Sequence, residues 1–223
     1  MNNIDLERAF SKPRFDRFVH ACDGDRGQAE SLYRTNIRLS FKIFAVIGVF
    51  EVVFRNAIDS HYKLKFGHQW LNDQLIPSGF LATRGCEKTR ENVMNTIIKL
   101  GADFSHDKAV ADLNFPFWRS LFGSKEFMAG RSTLLGIFPN KPFGESYNHT
   151  FVYNRLGSIN EIRNRIAHHD PICFLPKSNV FSFDPALNAY HTVKDLLHWL
   201  DFDPAEMLDG VDFVESEINS HFK

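Results

Sequence analysis

Within RNRIAHHDPI, residues Arg163 to Ile172, two arginines, an asparagine and two histidines occupy the seven positions 163–169. An arginine and a histidine beside one phosphodiester are a working minimum for cutting RNA. The guanidinium fork holds non-bridging oxygens and stabilises the charge that develops around phosphorus. The imidazole takes the proton of a 2′-hydroxyl or returns one to the departing 5′-oxygen. That chemistry needs no metal, and its nucleophile restricts the substrate to RNA. The same residue types also cap ordinary helix ends, so the stretch alone leaves both possibilities open.

Helical spacing orders these groups. Asn164 and His168 are four apart and share a face, as do Arg165 and His169. Arg163 lies five before His168 and is offset around the helix, within reach only if the last turn loosens. Pro171 forces Asp170 out of helical geometry, which puts both histidines on the terminal turn at the negative end of the helix dipole. A second polar group interrupts an apolar run in FEVVFRNAI, Phe50 to Ile58. There Glu51 and Arg55, four apart, predict a partly desolvated intrahelical ion pair. A buried charge stripped of its partner would cost roughly 3–5 kcal/mol.

Other chemistries find less support. Adjacent helical residues diverge by about 100°, and no H-x-x-x-H accompanies His168 and His169, so no metal site is expected. His191 and His198 share a face among Leu196, Leu197, Trp199 and Leu200, and suggest a plain helix surface. No nucleophile elbow, P-loop or dinucleotide fingerprint occurs, and no cofactor is expected.

Composition bounds the rest. The 223 residues suffice for a proper core, and 23 of them are phenylalanine, which predicts a core built largely from aromatic rings. A formal net charge of −1 carries no global basic field. Locally, Tyr153 to His169 holds three arginines against one glutamate. The three cysteines, Cys22, Cys86 and Cys173, are scattered and odd in number, as in a reducing cytoplasm. The N-terminus, MNNIDLERAFSKPRF, has acidic residues where a signal peptide would be apolar. The run Phe41 to Phe54 is broken by Lys42, Gly48 and Glu51 and is too short to cross a bilayer. A soluble, cytoplasmic protein without membrane contact is expected.

Alternation never holds for long, and apolar residues recur at helical spacing, so the fold is expected to be all-α. Helices are expected from about Gln28 to Asn36, Ile37 to Lys65, Glu87 to Leu100 and Ser146 to His169, and from Asp184 to Leu200. Ser105 should cap a short helix through Leu113, Pro116 should open the next, and Asp203-Pro204 should begin a short last pair. The stretches Leu64 to Ser78 and Gly123 to Gly144 are expected to be irregular. The whole chain, 1–223, is expected to form one domain, with helices 37–65 and 146–169 packed together.

RNRIAHHDPI resembles the RN-x-x-x-H motif of the HEPN superfamily, and in particular of its Abi-like, abortive-infection branch. LYRTN (Leu32 to Asn36), FEVVFRNAI and ADLNFPFWRSLF (Ala111 to Phe122) are similar to that family's other blocks, in the same order. The resemblance implies a HEPN-type helical bundle with additional helices and a metal-independent endoribonuclease of phage defence or a toxin–antitoxin system. It implies Arg163 and His168 as the catalytic pair, with Asn164 orienting the histidine or the phosphate. Glu51, Arg55, Asn56 and His169 would be polar support. RNA would be the substrate, a homodimer the working form, and an antitoxin or defence protein a further partner. The same family contains silent members, so a non-catalytic module binding RNA, nucleotide or a partner protein is the alternative.

Overall fold

The computed structural model describes residues 9–144 and 146–221. Among them are eleven α-helices and no strand beyond one isolated bridge between Phe174 and Phe181. The helices are α1 (Lys12–Ala21), α2 (Arg26–Phe66), α3 (Trp70–Asp73), α4 (Glu87–Leu100), α5 (His106–Asp112) and α6 (Phe115–Ser120). They continue with α7 (Ser124–Ala129), α8 (His149–Ala167), α9 (Asp184–Trp199), α10 (Pro204–Met207) and α11 (Val214–His221). The all-α expectation holds.

The spine is α2, 41 residues long. Asp25 starts it by accepting from the backbone N–H of Gly27 and Gln28, at 2.9 and 3.0 Å. Gly67, at φ 93°, ends it in a conformation that glycine adopts without a Cβ penalty. The expected break between Asn36 and Ile37 does not exist. No glycine or proline stands there, and Asn36 spends its side chain on a distant loop instead of competing with its own helix.

Packing around α2 is provided by α1, α8, α9 and α11, and α8 lies against α9 along a still longer seam. The two long helices therefore do meet, within a mutually packed α2–α8–α9 core. Aromatic rings fill it, as the phenylalanine count suggested. Phe54 stacks on Phe50 and Phe122 at centroid distances of 5.2 and 5.8 Å, and Tyr62 meets Trp70 edge-on at 4.9 Å. Emptying one such site, Phe54→Ala for example, would cost about 3–5 kcal/mol.

Four local expectations need correction. The stretch Leu64 to Ser78 is not wholly irregular, since α2 runs on to Phe66 and α3 spans Trp70–Asp73. Helix α1 was not anticipated, because only Phe15 and Phe18 of its ten residues are buried and the apolar signal is thin. Helix α8 begins at His149 rather than about Ser146 and ends at Ala167 rather than His169; Asn148 caps it by accepting from the N–H of Phe151 at 3.0 Å. The 123–144 stretch is less irregular than its glycines and prolines imply. It contains α7 and a 3₁₀ turn at Leu134–Ile137, held down by buried Phe127, Leu134 and Phe138.

At the other end, α11 is clamped to α2 through Glu217, whose carboxylate meets Arg38 Nε and Lys42 Nζ, each at 2.6 Å. No helix among the described residues is long and apolar enough to cross a membrane.

Candidate functional site

The RNRIAHHDPI stretch is the C-terminal end of α8 and the turn that stops it. The N–H of His169 bonds to the carbonyl of Ile166 at 2.9 Å, and that of Asp170 to the carbonyl of Arg165 at 2.7 Å. This is a Schellman closure, and the residue it places in the left-handed region is His169, at φ 58°. A glycine is the usual occupant; a histidine there is strained.

One side chain of the stretch itself and three from elsewhere in the chain hold this turn. Arg165 donates Nε to Asp170 Oδ2 at 3.1 Å and Nη2 to the carbonyl of Pro171. Arg14 of α1 donates to the carbonyl of His169. Arg17 lies 3.7 Å from Asp170 and 4.6 Å above the ring of Phe174. Asn36 of α2, buried, accepts from the N–H of Ile172 at 2.9 Å and of Cys173 at 3.2 Å. Leaving one of those buried donors unpaired costs about 1–3 kcal/mol. Asn36 is thus what makes the LYRTN block matter to the site. Sequence reading quoted the block without seeing this role, since the partners lie 136 and 137 positions away. Arg14 and Arg17 were missed along with α1.

Two concavities flank the turn, and the paired histidines separate into them. His168 is exposed, its imidazole makes no hydrogen bond among the described residues, and it lines an open depression of about 470 Å³ along α8. Asn160, Glu161, Asn164 and Arg165 share that wall, with Gly157 at its far end. His169 instead faces a larger, mainly apolar groove of about 640 Å³ between α1 and α2, beside Phe10, Arg14, Tyr33 and Phe41. Beneath the turn, burial pushes the Cys173 thiol up to about 12, which keeps it protonated and inert.

The polar residues of α2 rearrange relative to expectation. Glu51 does not pair with Arg55. It accepts from Arg163 Nε at 3.2 Å, across the α2–α8 seam, with 26% of its side chain and 30% of the arginine's exposed. Arg55 turns away and donates to the carbonyl of Ala111 at 3.1 Å, in the last turn of α5. Asn56 stays exposed. The tertiary partner wins because α8 brings a guanidinium to Glu51 while the α5 terminus offers Arg55 an unsatisfied carbonyl. One arginine fork is therefore aligned by a carboxylate on a facing helix.

Of the residues singled out by sequence, Asn164 and His168 share the depression. Arg163 leaves α8 toward α2 and is not part of that wall. Its terminal nitrogens make no hydrogen bond among the described residues, so the fork is anchored at one edge and open at the other. His191 and His198 sit exposed on α9. Among the described residues, no group of three or more His, Cys, Asp or Glu could hold a metal ion.

Comparison with family models, curated proteins and solved structures finds no match to this chain.

Proposed function

We propose that this protein is a metal-independent endoribonuclease of the HEPN, Abi-like type, acting in bacterial phage defence or a toxin–antitoxin system. The observation that carries the reading is the unengaged imidazole of His168 in an open depression; the Arg163 fork, held by Glu51 through Nε alone, lies outside that wall and would swing from the α2–α8 seam to meet the same phosphate. The 2′-oxygen attacks phosphorus and the P–O5′ bond breaks. The products are a 2′,3′-cyclic phosphate and a 5′-hydroxyl end. His168 accepts the 2′-hydroxyl proton or supplies one to the leaving oxygen. Arg163 stabilises the phosphorane oxygens, Asn164 orients the histidine or the phosphate, and Glu51 orients Arg163.

A homodimer fits this reading. Phe41, Phe44 and Val52, exposed at 67%, 38% and 45%, form one face of α2 with the small exposed residues Ala45 and Gly48. The face adjoins Glu51, so a second copy seated on it would bring two sites close together.

The test is cleavage of total cellular RNA by the purified protein in EDTA, beside His168→Ala. The wild type should cut and leave cyclic-phosphate ends, and the variant should lose about 10²-fold or more while melting at the same temperature. Equal cutting by both proteins would remove His168 from the chemistry. The alternative, a non-catalytic RNA-, nucleotide- or partner-binding module, gains from the Arg163–Glu51 ion pair, because a tied arginine suits a binding surface. It would be favoured by RNA binding without cleavage.

A further inference from the structure

Arginines on α8 are neutralised one by one: Arg155 pairs with Asp195, Arg163 with Glu51 and Arg165 with Asp170. Arg119 is different. It rises from α6 and lies across α8, its Nε donating to the carbonyl of Tyr153 at 3.1 Å and its guanidinium 3.8 Å over the tyrosine ring. The absence of a side chain at Gly157 makes room for it. A Cβ there would stand 3.0 Å from Arg119 Nη2 and 3.4 Å from Cζ. Among the described residues no carboxylate lies within ion-pair distance of Arg119, and its terminal nitrogens make no hydrogen bond and are not sealed from solvent.

Gly157 is also the far end of the depression whose near end is His168. At 1.5 Å per residue, the eleven steps from one to the other span about 16 Å. A stacked single strand carries a charge roughly every 3.4 Å, so four or five nucleotides fit. The positive, planar Arg119 fork abuts the Gly157 end of this line, outside the wall itself, and along the wall follow the carboxamides of Asn160 and Asn164 and an imidazole.

Resting on the ribonuclease reading, we infer that Arg119 is a distal phosphate-binding residue. It grips the RNA backbone several nucleotides from the cut, and the α8 depression is the track between the two. Tyr153 and Gly157 hold the fork flat and preorganised, which suits bidentate phosphate binding. Glu161 and, at the His168 end, Asp170 are the opposing charges along this path.

The experiment uses the full chain carrying His168→Ala, so that bound RNA survives. Anisotropy is measured with a labelled single-stranded octanucleotide and with a dinucleotide. Adding Arg119→Gln should weaken the octanucleotide about tenfold and leave the dinucleotide unchanged. It should also flatten the slope of log K against log salt by about 0.7, the value for one phosphate on a single strand. Arg119→Lys should keep that slope. Gly157→Ala, which leaves the charge but displaces the fork, should weaken the octanucleotide alone. An octanucleotide affinity indifferent to Arg119, or equal losses for both lengths, overturns the assignment and leaves the ribonuclease reading standing. If the His168→Ala protein binds neither RNA, both fall.

Discussion

At the scale of single residues, the end of α8 separates two histidines that the sequence sets side by side. His169 occupies the left-handed position of the helix stop, where a Cβ costs about 1–2 kcal/mol. Glycine would relieve that strain while giving back part of it through a freer unfolded chain. His169→Gly is therefore expected to stabilise the fold by about 0.5–1 kcal/mol and to raise Tm by about 2 °C, read by calorimetry. Because His169 faces the apolar groove rather than the α8 depression, the proposed RNA cleavage should persist in that variant. Loss of cleavage with a higher Tm would transfer the proton-transfer role from His168 to His169. Asn164, Arg163 and Glu51 have no such conformational signature; their roles depend on what each side chain meets.

At the scale of elements, the lower half of α2 is tied to its neighbours by a buried polar knot. Asp59 accepts from Trp70 Nε1 at 2.8 Å and meets His106 Nε2 at 2.7 Å, and Lys63 Nζ approaches it at 2.8 Å. Burial pushes the Asp59 carboxyl up, but hydrogen bonds from Lys63, His106 and Trp70 outweigh it and leave the group below its ordinary value. Glu217 behaves likewise: burial raises it, and Lys42 and Arg38 bring it down. Both carboxyls thus bind protons more weakly folded than unfolded. Their contribution is fully present above the unfolded values of about 4 and is lost as pH falls through the depressed folded ones. Stability should decline in acid below about pH 4. Asp59→Ala should lower it by about 3 kcal/mol at neutral pH and flatten the acid limb, measured by urea denaturation across pH. An unchanged acid limb would show that Asp59 is not among the groups that titrate there.

For the molecule as a whole, the exposed apolar face of α2 is the surface that the proposed homodimer would cover. With the chain alone, Phe41, Phe44 and Val52 meet water. A homodimer through this face predicts dimeric sedimentation for the wild type. Phe41→Glu should give a monomer whose Tm falls by no more than a concentration-dependent amount, since Phe41 lies outside the core. A wild type that sediments as a monomer at micromolar concentration would remove the dimer from the proposed function. Cleavage by the Phe41→Glu monomer would show whether a single site suffices.

By itself the sequence determined the all-α class, most of the long helices and the turn at Asp170-Pro171. These follow from hydrophobic period, caps and proline, which act over a few residues. It also drew attention to Arg163, Asn164 and His168, because their types and spacing are local. Tertiary structure decided the rest. It ran α2 unbroken through Asn36, whose side chain is claimed by Ile172 and Cys173. It added α1, whose Arg14 and Arg17 hold the α8 stop. It gave Glu51 to Arg163 instead of Arg55, and it laid Arg119 across Gly157. The physical reason is common to all four. A charge or a hydrogen-bonding group is satisfied by whatever the packed helices bring within about 3 Å, and sequence separation says nothing about that.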